Sequence, residues 1–287
     1  VQKMDAIVGA GVENLGVVLE GPGEWHSIEL KHAVRCWVRG VESRQTMRAH
    51  VWLEHSFACE VRACSLQYAQ NYGGLGHGYG VGLGRHASDN LVEDNVLAHL
   101  RHALIAGHGA NGNVIAYNYS TEQEAARGQR AQPDLCVHGN YAHANLFEGN
   151  VAQDADFPDG EFWPSGPANT LFRNELQRGG YGVLVRANGP GEAGQSVVGN
   201  HLRRGTLRVD DGVRNAFCHG NRVDDEVVWS DGAGRDLPAS LFRGRRPPFF
   251  EEAGASFAWP PIGPDRTPQA GDAIPAARRY RLSIPER

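Results

Sequence analysis

The segment Asn113-Val114-Ile115-Ala116-Tyr117-Asn118 sets two asparagines around a short apolar run, and the same frame returns along the chain. It reads Asn90-Leu91-Val92-Glu93-Asp94-Asn95 upstream and Asn145-Leu146-Phe147-Glu148-Gly149-Asn150 downstream. Asn169-Thr170-Leu171-Phe172-Arg173-Asn174 is less regular, and Gln195-Ser196-Val197-Val198-Gly199-Asn200 is weaker. Asn215-Ala216-Phe217, followed by Asn221, reads as a stretched copy. Cys59-Glu60-Val61-Arg62-Ala63-Cys64 carries Cys for both Asn, and Cys36-Trp37-Val38-Arg39-Gly40-Val41 carries it for the first alone. From Cys36 to Asn215 the copies begin 23, 31, 23, 32, 24, 26 and 20 residues apart. Helical repeats keep stricter periods, whereas a solenoid holds its strands in register while its loops vary in length.

Most copies follow a second short apolar segment, such as Val51-Trp52-Leu53, Val81-Gly82-Leu83, Leu104-Ile105-Ala106 or Leu135-Cys136-Val137. Two or three short strands per coil, punctuated by Gly and Asn, describe an all-β chain folded as a right-handed parallel β-helix. Asn suits the corners because it tolerates left-handed backbone and its amide can bond to the Asn one coil away. With coils about 4.8 Å apart, eight or nine of them give a rod of roughly 40 Å. Residues 1–228 are expected to form the coil and residues 229–287 an irregular C-terminal tail. That tail holds Pro247-Pro248-Phe249-Phe250 and Trp259-Pro260-Pro261, aromatics fit to cover the rod's side or its open end.

Composition narrows the function. The chain has 287 residues, 37 of them Gly, about twice the usual ~7% share that turns would absorb. Its formal charge of -5 offers no basic excess for a phosphate backbone, and no apolar run nears the ~18 residues of a membrane span. Nucleic acid and membrane are therefore not the expected partners. Of 28 basic residues only Lys3 and Lys31 are Lys. Five scattered cysteines form neither a disulfide framework nor a CxxC metal site and read as buried thiols. The segment Val1-Gln2-Lys3-Met4-Asp5 is not a signal peptide.

Arg101-His102-Ala103-Leu104, Gly109-Ala110-Asn111-Gly112-Asn113-Val114, Tyr117-Asn118-Tyr119-Ser120 and His138-Gly139-Asn140-Tyr141 add a family likeness. Together with the Asn units, they resemble bacterial pectate-lyase-like β-helix proteins over roughly Val12 to Asn221. The resemblance implies a secreted or periplasmic protein that acts on, or grips, a polysaccharide. Relatives of this fold include lyases, hydrolases, epimerases and phage tailspikes, so the reaction has to be argued from residues.

Aligned on the Asn units, polar residues fall into columns. Past the first strand come Glu54 and His55, Arg85 and His86, His108, then His138. At its start come His50, Tyr79, Arg101 and His102, Asp134, then Glu161. Six of the 13 His lie between His77 and His138, which marks these coils as the site. For a lyase acting on an acidic polymer, the scarcity of Lys moves the base to His102 or His138. Arg101 and Arg85 would then clamp the carboxylate, with Tyr79 as acid. His77, His86, His108 and Tyr141 would border the substrate. A glycosidase would instead need two carboxyl groups, drawn from Asp134, Glu161, Asp156 and Asp159. A divalent cation could take His86, His108, His138 and Asp134, although their spacing matches no short metal motif. A non-catalytic glycan-binding rod is the alternative to an enzyme.

Overall fold

The computed structural model describes residues 5–21, 23–74, 76–159, 163–178, 182–186, 194–252, 257–266 and 273–284. Three sheets of eight, nine and ten strands run along it, each built from strands one coil apart. Pairing is parallel throughout these sheets except at the last strand, Glu226–Val228, which turns back on Asn221–Val223. The chain is thus a parallel β-solenoid with three strands to a full coil.

Every copy of the six-residue unit supplies the strand of the nine-stranded sheet. Val92, Ile115, Phe147, Leu171 and Val197 stand in one register column and point inward, essentially fully buried. Burial of each such side chain contributes roughly 1.5–3 kcal/mol, so the column is a continuous core. The last copy corrects the sequence reading. Ser196 pairs with Phe217, so that unit begins at Ala216 and is not stretched; Asn215 sits one residue earlier.

Both asparagines of the unit form ladders inside the corners. Nδ2 of Asn90 donates to Oδ1 of Asn113, and the column continues through Asn145 to Asn169 at 2.8–3.0 Å. The second column runs Asn95, Asn118, Asn150, Asn174, Asn200, Asn221 over the same range. The left-handed conformation falls one residue before each ladder position, on residues as different as Asp94, Tyr117, Gly149 and Arg173. Of the two reasons to expect Asn at the corners, the side-chain ladder is present, while the left-handed backbone falls on the residue before. Cys59 and Cys64 take ladder positions at the N-terminal coils. Their amides donate to Asn90 and Asn95, and their thiols make weak bonds to the carbonyls of Ala33 and Val38.

The tail lies along the side of the rod. Phe249, Phe250, Phe257, Ile262 and Tyr280 join Val96, Tyr117, Tyr119 and Val151 in a second apolar cluster. Two helices, Phe249–Glu252 and Pro275–Ser283, give the tail more regular structure than the Pro-rich sequence suggests. Charges within the repeat units fasten it. Arg243 pairs with Glu93 and Arg279 with Asp94. The buried Arg173 donates to the carbonyls of Leu237, Pro238 and Ile262 and to Asp265. The tail covers the corner of the nine- and ten-stranded sheets. Among the described residues, none of the tail lines the hollows on the outer face of the eight-stranded sheet.

Candidate functional site

That outer face is a groove. In parallel strands, alternate residues point outward, and here they form the column Trp52, Gly82, Ile105, Cys136, Asp156, Leu184. Gly82 and Gly84 leave room for the Trp52 indole, which lies where their Cβ atoms would be, at 2.3 and 2.4 Å. His26 stacks beside it with ring centroids 5.1 Å apart. The two longest repeats, of 31 and 32 residues, carry the long connections before Tyr79 and before Asp134. These connections wall the groove through Gly74, Gly76, Gln132 and Pro133.

Three adjoining hollows follow. One of about 390 Å³ is lined by Trp52, Glu54, Tyr79, Arg85, His108 and His138, among others. One of about 260 Å³ holds Tyr79, Arg101, His102, Cys136, His138, Asp156 and Asp159. A smaller one of about 160 Å³ continues past Asp156 to Arg186. Tyr79 and His138 line both of the larger hollows and so mark their junction.

Two polar pairs meet there. His138 Nδ1 forms a short hydrogen bond with Asp159 Oδ2, which fixes the ring and leaves Nε2 as the other ring nitrogen. Cys136 Sγ reaches the same carboxylate oxygen at 3.4 Å. Arg101 donates to the Tyr79 hydroxyl at 3.3 Å, and its charge lies 5.8 Å from the centre of that ring. Burial raises the Tyr79 hydroxyl above its usual pKa despite the opposing pull of Arg101, so it keeps its proton at neutral pH. Burial, then the charge of His138, lowers His108. At the far rim Glu54 is held by Lys31 at 3.0 Å and Arg85 at 3.4 Å.

His102 enters differently. Its Nδ1 donates to the Pro133 carbonyl at 2.8 Å, and its ring meets Tyr79 edge-on. Burial first, and Arg101 second, bring its pKa down to about 3. A neutral ring with one nitrogen committed to the backbone fits a role in positioning Tyr79.

Several expected residues lie elsewhere. His77 is buried and pinned by the Gly74 carbonyl and Glu24 at 2.7 and 2.8 Å, so it ties down a loop. His86 stacks on His55, which stacks on His32, and lines none of the three hollows. Tyr141 is 61% exposed beside His143, while its neighbour Asn140 lines the groove. Glu161 lies outside the described residues. Asp134 points into a corner of the coil, where it accepts a bond from the Gln153 amide while its own amide donates to Asp154. The proposed set of His86, His108, His138 and Asp134 therefore does not gather around one point. Cys136, His138 and Asp159 do, although Cys136 reads from sequence as a filler. The alternation of Cys136 and His138 on one strand was the signal, since residues i and i+2 share a face.

Asp134 carries a stability prediction. Burial first, and the charge of Asp154 second, raise its carboxyl from 3.8 to about 7. Between pH 4 and 7 the folded chain holds a proton that the unfolded chain has released, so this group costs stability as the pH rises. Asp134→Asn is expected to gain stability relative to the parent between pH 4 and pH 8, by at most about 4 kcal/mol. Urea melts of both proteins at each pH check this. The buried His50 and His102 shift both proteins alike and cancel from the difference. An identical difference at both pH values would sink the assignment.

No protein-family model, curated protein or solved structure matches the chain.

Proposed function

We propose that the chain is a carbohydrate-active enzyme, exported to where polysaccharides are met, that cleaves an extended acidic polymer by β-elimination. This accords with its resemblance to pectate-lyase-like β-helix proteins. The observation that carries the reading is the junction of the two larger hollows. There a base backed by a carboxylate, His138 with Asp159, and an acid backed by a cation, Tyr79 with Arg101, face one groove.

Each group has a task in that chemistry. His138 Nε2 takes the proton α to the uronate carboxylate, while Asp159 accepts the Nδ1 hydrogen and stabilises the imidazolium as it forms. Arg101 neutralises the charge that builds on the carboxylate, through a planar fork suited to two oxygens. Tyr79 hands its proton to the departing glycosidic oxygen. Arg85 and Trp52 serve sugars farther along, since a solenoid face meets successive units with successive coils.

The hydrolase reading is weaker. Asp156 pairs with Arg186 at 2.7 Å, Glu54 with Lys31 and Arg85, and Asp159 is engaged by the His138 ring. Each carboxyl named in the groove thus already has a partner that favours its ionised form. A glycosidase needs one of its two carboxyls protonated.

Incubation with pectate, alginate and glucuronate-containing polymers tests the proposal. Ultraviolet absorbance of the new carbon–carbon double bond is the expected result. Reducing ends without that absorbance would mark a hydrolase, and retention of polymer with neither product would mark a binding rod.

A further inference from the structure

We propose that Cys136, His138 and Asp159 form a binding site for a thiophilic divalent cation of the zinc class, and that its occupation switches the groove off. The binding stands on geometry alone; the switching rests on the reading of His138 as base. Cys136 and His138 project from the same side of the strand Leu135–His138. Asp159 arrives from the next coil. One ligand atom from each of the three lies within 4.8 Å of the others. A cation moved in among them would exchange the present hydrogen bonds to Asp159 for three metal bonds.

The donor set selects the ion. One thiolate, one imidazole and one carboxylate suit zinc or cobalt, which accept sulfur and nitrogen. Calcium and magnesium prefer all-oxygen shells. All three residues open onto the hollow of about 260 Å³, which leaves a fourth position for water or a substrate oxygen. Arg101 lines the same hollow and sets an opposing charge, so affinity has to come from the thiolate.

Proton accounting explains the switch. The Cys136 thiol loses its proton to solvent when its sulfur binds the cation. The cation takes the Nδ1 lone pair of His138, so the neutral ring carries its single proton on Nε2. No lone pair then faces the substrate, and the proton α to the carboxylate has no acceptor. One proton is released per cation bound, and nothing is oxidised or reduced.

Cobalt(II) added to the full, metal-free chain reads the site directly. The expected result is a thiolate-to-cobalt absorption band that Cys136→Ser abolishes and Cys218→Ser keeps. Absence of the band, or its persistence in Cys136→Ser, overturns the site. In the elimination assay, zinc is expected to lower turnover at least tenfold, with recovery on chelation. Cys136→Ser is expected to raise the half-inhibiting zinc concentration by a similar factor. Zinc that binds without inhibiting, or that turnover requires, overturns the switch. A band in a chain that cleaves no uronate polymer supports the cation site and sinks the elimination reading, because the cobalt signal needs no substrate.

Discussion

His138→Ala is expected to lower kcat on the cleaved polymer by roughly 10³-fold, the middle of the range for a lost general base. KM is expected to change little, because the proton transfer exists only in the transition state. The fold is expected to survive. His138 is half-buried at the end of a strand, where its ring meets Asp159 and, more loosely, His108 at 6.4 Å, among others. Thermal melts and far-ultraviolet circular dichroism check that point beside the kinetics. Tyr79→Phe is expected to cost a comparable factor, since it removes the proton donor and leaves the aromatic ring packed against His102. His102→Ala separates the two histidines. His102 touches Tyr79 and the backbone, so its loss is expected to loosen the acid and cost less than the loss of His138. If His138→Ala keeps full activity, the assignment of the base fails.

The fold was legible because a solenoid repeats its local rules. Each unit states its strand, its corner and its ladder residue again, so even the copy from Cys59 to Cys64 falls into frame. The error at Asn215 came from taking an Asn as the frame, where the inward column of Val197 and Cys218 sets it. The site was legible only in part. Tyr79, Arg85, Arg101, His102, His108 and His138 all line the groove, because columns predicted from the Asn frame put outward residues together. His77, His86, Tyr141 and Asp134 do not, and each sits at a corner or in a loop where strand alternation no longer governs direction. Asp159 reads from sequence only as one half of a hydrolase pair. What makes it central is the turn that carries it back beside His138, and no local pattern encodes that return. The anchors of the tail were hidden for a related reason. Nothing in their own segments marks Glu93, Asp94 and Arg173 as anchors, and only the distant segment that covers them supplies their ion-pair partners.

Asn118→Ala is expected to cost about 4 kcal/mol of stability, far more than an average substitution on a rod of this length. Oδ1 of Asn118 accepts from the amide and the side chain of Asn95, at 3.1 and 2.8 Å. Its Nδ2 donates to Oδ1 of Asn150 and to the Val92 carbonyl, at 2.9 and 3.0 Å. Asn118 and its neighbours in the ladder are fully buried, so water cannot replace what is lost. Truncation therefore strands two donors of Asn95 and one carbonyl, each at a cost of about 1–3 kcal/mol, while Asn150 keeps the Asn118 backbone amide at 3.0 Å. Asn111→Ala is the control. Asn111 bonds to Ser88 and the Gly109 carbonyl but stands partly in solvent, so its loss is expected to stay below about 1 kcal/mol. Asn118→Cys is expected to fall between the two. A thiol can reach the Val92 carbonyl as Cys64 reaches that of Val38, but it offers the coil above only a weak acceptor. Guanidinium melts of the three variants decide the matter. Equal losses for Asn118→Ala and Asn111→Ala would mean that the apolar column holds the coils together alone, and that the ladder serves register instead of stability.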